Sequence, residues 1–163
     1  MGDLSSTWVL GAVFGVLLLF FLFFLFGREK YPYFSRKTLL TPTELKFYKT
    51  LLGICDQRHP DLGIAMQVRL ADIITCSEAD WQRGYGPRIS AKHLDFVLFE
   101  KKTTKTALCI ELDDHSHHKP DRRRRDQFVN KAMLAAKVPL IRVSTDDMND
   151  KKLIEELIKS NLS

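Results

Sequence analysis

"ALCIELDDHSHHKPDRRRRDQF", residues 107–128, is the stretch on which the reading of the fold turns. An apolar run from Ala107 to Ile110 leads into Glu111, Asp113 and Asp114. Three histidines follow (His115, His117, His118), then four consecutive arginines, Arg122 to Arg125. A short apolar run of this kind suits a buried strand, which puts the charged residues at its mouth.

Working outward, "KHLDFVLFE" (residues 92–100) reads as a preceding strand and "TALCIELD" (106–113) as its partner across a Lys-Thr turn. The two are therefore expected to be antiparallel. Asp95 lies between apolar Leu94 and Phe96, and Glu111 and Asp113, at i and i+2, share one face of their strand. Carboxylates gathered in this way repel one another unless a cation or hydrogen bonds compensate. Hard oxygen donors suit one or two Mg²⁺ (or Mn²⁺) ions, which hold a phosphodiester and activate water. The plainer alternative is that Glu111 and Asp113 close a strand end and pair with Arg122 to Arg125. On the residues alone both readings stand.

"TPTELKFYKTLLGI" opens with Thr41 as N-cap, Pro42 at the first helical position and Glu44 at the third, a capping box. Ile64 to Leu70 alternates as a strand, and "TCSEADWQRGYGPRIS" (75–90) reads as a loop. "DRRRRDQFVNKAMLAAK" is a helix, "VPLIRVS" a buried strand and "DKKLIEELIKSN" a terminal amphipathic helix. The expected domain, residues 41–163, is an α/β fold in the order α-β-β-β-α-β-α. Its four-stranded sheet is mixed, because the step through the arginine-bearing helix is a parallel crossover.

This order resembles the PD-(D/E)xK restriction-endonuclease-like superfamily, with Glu44 in the first helix, Asp95 in the second strand and Glu111-x-Asp113 in the third. The stretch from Asp95 to Arg142 is similar to the branch related to very-short-patch-repair endonucleases: a D-F pair, an E-x-D followed closely by histidine, a D-x-x-R and a final L-x-R. It is also similar to a group of uncharacterised bacterial proteins. The resemblance implies that Asp95 and Glu111 ligate metal, with Glu44 an outer carboxylate acting through water. Asp113 stands where the superfamily has its lysine, and Asp114 where the branch has glycine; His117 or His115 would handle protons. The implied activity is divalent-metal-dependent hydrolysis of phosphodiester bonds in nucleic acid, DNA ahead of RNA. A catalytically silent module of the same fold, binding nucleic acid or protein, is the alternative.

The remaining polar residues divide between bland and functional readings. The histidines are solvated loop residues, a general acid/base, or part of a zinc site. Arg122, Arg124 and Arg125, with Lys92, fit phosphate binding or a solvated face. Arg142, inside "PLIRVS", needs an acid or a phosphate. Trp81 and Tyr85 either stack on bases or pack over the sheet edge.

The chain of 163 residues carries a formal net charge of +5, and its three cysteines form no C-x-x-C pair. Neither a disulfide framework nor a structural zinc site is implied. From Trp8 to Phe26 no residue is charged. At about 1.5 Å rise this run covers roughly 28 Å, close to the depth of a bilayer core. A signal peptide or a buried helix are the rivals. The expectation is a transmembrane helix in residues 1–27, contacting the lipid bilayer through residues 8–26, and a basic linker over 28–40. Arg28, Lys30, Arg36 and Lys37 then place the α/β domain in the cytoplasm, on a single-pass protein of the bacterial inner membrane.

Overall fold

Thr41 begins the α/β part as its spacing predicts. Its hydroxyl accepts from the Glu44 N–H at 3.3 Å, and the Glu44 carboxylate accepts from the Thr41 N–H at 2.6 Å. Both donors would otherwise be orphaned at the start of helix α2, Pro42–Arg58. The computed structural model describes residues 4–26, 31–36, 38–113 and 120–162, with backbone alone at 4–7, 25–26 and 120–123. The chain divides into two compact units, Met1–Lys37 and Thr38–Ser163.

In the first unit, Leu4–Phe26 forms helix α1. The expected transmembrane helix is corrected here: among the described residues no helix is long and apolar enough to cross a membrane.

In the second unit, α2 is followed by β1 (Leu62–Arg69), a 3-10 turn (Leu70–Asp72), α3 (Glu78–Gln82), α4 (Tyr85–Ser90), β2 (His93–Glu100) and β3 (Thr106–Asp113). Then come α5 (Pro120–Ala135), β4 (Leu140–Ser144) and α6 (Lys151–Asn161). The sheet order is β1-β2-β3-β4; β2 and β3 are antiparallel and β3 and β4 parallel, as the sequence reading expects, and β1 adds antiparallel to β2. The loop expected over 75–90 is replaced by two short helices. Ser77 caps the first through the Asp80 N–H. Gly84 joins them at φ 96°, and the Trp81 indole lies so close over Gly86 that any side chain there would collide. Trp81 is thus a packing residue.

Period-two alternation sorts the sheet into two cores. Phe96, Leu98, Leu108, Ile110, Ile141 and Val143 pack against α2 and α6, with Phe47 edge-on to Phe96 at 5.4 Å. Val97, Cys109 and Leu140 face the other way, toward Val129 and Met133 of α5. Burying these side chains stabilises each face by about 25 cal/mol per Å² of apolar surface. By the same alternation Glu111 and Arg142, one step beyond Ile110 and Ile141, belong on the α5 side.

Candidate active site

The alternation breaks at one point of the ladder. Leu94 packs on the α5 side and Phe96 on the other, as do Val68 and Met66 in β1. Gln67 and Asp95 sit between the register partners Met66–Phe96 and Val68–Leu94. Gln67 takes a left-handed φ of 53°, an uncommon conformation for a non-glycine residue in a strand. That turn lets its side-chain amide donate to Glu44 Oε1 at 3.1 Å. The kink therefore ties β1 to the start of α2, beside Asp95.

Phe96–Ile110 is the last ladder pair of β2 and β3 toward this end. Asp95 and Glu111 are the next residues of the two strands beyond that pair. The Asp95 carboxylate takes over the sheet's hydrogen bonding by accepting from the Leu112 N–H at 2.9 Å. Burial pushes the Asp95 carboxyl above its ordinary range; Leu112's N–H opposes this, while the charges of Glu44 and Asp113 push it further up. Glu111, only 6% exposed, is likewise raised, first by burial and also by Asp95 and Asp113, against the pull of Arg142 and Arg125. Glu111 thus feels the charge of Asp95 in a partly dehydrated corner.

Arg142 answers that charge from β4. Its guanidinium lies 2.6 Å from Glu111 and 3.1 Å from both oxygens of Asp113. It also reaches Asp126 at 3.7 Å and donates to Asn130 Oδ1 at 3.3 Å, both on α5. Parallel pairing explains the placement, since Glu111 and Arg142 are register partners. Burial alone would lower the Arg142 pKa, but Glu111, Asp113 and Asp126 outweigh it and hold the side chain firmly charged. Of the acid and phosphate partners open to Arg142, the fold supplies acids.

The other expected residues are placed as follows. Glu44 is beside the cluster, with one oxygen engaged by the cap and the other by Gln67. Arg125 is exposed, and its charge acts on both Asp95 and Glu111. Arg124 is exposed on the same helix. Lys92 donates to the Arg88 carbonyl and stands 4.9 Å from the Phe128 ring centre. His115, His117, His118 and Asp114 lie outside the described residues, as do the side chains of Arg122 and Arg123. Gln67, Asn130 and Asp126 were not anticipated as site residues. The polar Gln67 amid "GIAMQVR" was the one sequence signal for any of them.

Among the described residues no group of three or more His, Cys, Asp or Glu side chains is arranged to hold a metal ion. Asp95 and Glu111, whose charges interact, are the two carboxylates left as candidate donors. Mg²⁺ commonly takes one or two protein carboxylates and completes its octahedron with waters and substrate phosphate. Such a set fits that ion, provided Arg142 releases Glu111.

A family model described as "Protein of unknown function (DUF2726)" matches residues 36–161. No curated protein and no solved structure matches the chain.

Proposed function

The chain belongs to the DUF2726 family, and we propose that it is a divalent-metal-dependent phosphodiester hydrolase of the PD-(D/E)xK kind, acting on DNA. The observation that carries this reading is that Asp95, whose carboxylate accepts from the Leu112 N–H just past the last β2–β3 ladder pair, puts its charge on the buried Glu111 carboxyl. Both carboxyls are buried enough to resist ionisation, so a nearby cation has a large effect on them. A Mg²⁺ or Mn²⁺ ion held there would polarise the phosphate and lower the pKa of bound water.

The chain's own residues would divide the work. Asp95 is oriented by the Leu112 N–H, and its second oxygen is the one left for a ligand. Glu44, fixed by Thr41 and Gln67, adds negative charge at the rim and orders water. Asp113 occupies the superfamily's lysine position, and Arg142 brings a permanent cation to the same place from the neighbouring strand. A guanidinium can grip a phosphate oxygen bidentately and steady charge as it develops. His117 is the proposed proton carrier.

The Arg142 contacts also favour a second reading. Glu111 and Asp113 are both satisfied internally by the guanidinium. Such an arrangement suits a silent module that binds nucleic acid without cutting it. One experiment separates the two. The purified chain is incubated with plasmid DNA and Mg²⁺ or Mn²⁺, beside Asp95→Ala and Glu111→Ala. The hydrolase reading expects nicking by wild type and a loss of at least about 10²-fold in either variant. DNA binding without cleavage, unchanged in both variants, selects the silent module.

A further inference from the structure

On the α5 side of the sheet a groove of about 720 Å³ opens between α4 and α5. Its floor is apolar, with Ile74, Ile89 and Phe128, and its rim carries Arg83, Arg88 and Lys131. Asp80 neutralises Arg83 at 3.3 Å. Among the described residues no carboxylate pairs with Arg88 or Lys131. The Arg88 guanidinium instead stacks 4.2 Å from the Phe128 ring centre, and Lys92 approaches that same ring at 4.9 Å. The charges of Arg125 and Arg88 both bear on Lys92. Arg125 is exposed on α5 one turn before Phe128, so a line of cations runs from the groove along that helix.

We infer that this groove is a subsite for one unpaired nucleotide of a nucleic-acid strand. The base would lie on the apolar floor, and the strand's phosphates would follow Arg88, Lys92 and Arg125. The substrate class rests on the hydrolase reading above. The volume lies within the roughly 300–1,000 Å³ of small-molecule sites, large enough for a base and its sugar. Proteins that hold single strands combine a basic track with aromatic or guanidinium planes for the bases. Tyr85, exposed at the rim with Arg88 6.0 Å from its ring centre, supplies a further plane. A free small anion would be served by the rim alone. The continuation of the cations to Arg125 is what points to a strand.

The test uses the full chain, without divalent ions, and a single-stranded oligonucleotide containing 2-aminopurine. Anisotropy reports binding, and the emission of the modified base reports its unstacking from its neighbours. Wild type should bind with a saturable change in that emission. Ala135→Trp, at an exposed position lining the groove, should abolish the change and weaken binding about tenfold. Arg88→Ala should lower the slope of log K against log salt by about 0.7, one phosphate contact on a single strand. Lys131→Glu is the second variant that should weaken binding.

Failure to bind, binding with unchanged emission, or indifference to both Ala135→Trp and Lys131→Glu would overturn the assignment. So would saturable binding of dodecanoate, abolished by Ala135→Trp, with no oligonucleotide signal; the groove would then belong to an amphiphilic anion. Emission change without DNA cutting in Mg²⁺ would remove the hydrolase reading and leave the groove. Cutting without emission change would remove the groove alone.

Discussion

Arg142 holds one end of the site together, and what it does there depends on charges it cannot choose. Its partner Glu111 is buried, so removing the guanidinium strands an uncompensated carboxylate. Arg142→Ala should destabilise the domain by about 3 kcal/mol in denaturant melts, and adding Glu111→Ala should recover part of that loss. The raised carboxyls set the direction of the pH response. Asp95 and Glu111 bind protons more tightly folded than unfolded, above their ordinary values of 3.8 and 4.5. Their contribution is fully present below those values and is lost as pH rises through the raised ones. Chemical melts across that acid window should show stability falling with rising pH, and Glu111→Gln should flatten the slope. A slope of opposite sign would mean the pair is ionised and satisfied in the native state. The hairpin reading sets Asp95 and Glu111 on neighbouring strands because the turn that joins them is local in sequence. Arg142's partners stay open in the sequence because they lie 12 to 31 positions away, on β3 and α5.

At the scale of elements, the capping box and the hairpin were readable before any coordinates. Thr41, Pro42 and Glu44 carry their signal within four residues, and their hydrogen bonds are the expected ones. Thr41→Ala should therefore cost about 1 kcal/mol, measurable in a denaturant midpoint. It should also lower activity, because the cap that steadies Glu44 and hence Gln67 is loosened. Two features escaped. Helices α3 and α4 are too short for a 3.6-residue period to show, and Gly84, Gly86 and Pro87 read as loop punctuation. The left-handed Gln67 is invisible to patterning, since alternation continues formally through it. Gln67→Val should be doubly unfavourable, placing a β-branched residue at positive φ and deleting the bond to Glu44. A melt matching wild type would show that the kink is not strained.

At the scale of the molecule, the charges of the second unit are spread unevenly. Acids concentrate at the fork of β2 and β3, and cations line the α4–α5 side next to it. Phosphate chemistry would use both, with acids for an ion and arginines for the strand. The α/β class and mixed sheet followed from element order, whereas the N-terminal apolar run read as a membrane span and, among the described residues, no helix is long and apolar enough to be one.

The central claim is that the carboxyls of residues 95 and 111 share one divalent ion, and calorimetric titration of the purified chain with Mn²⁺ addresses it most directly. Wild type should give saturable heat that disappears in Asp95→Ala and in Glu111→Ala. Equal heats in all three proteins, or none in wild type, would contradict it.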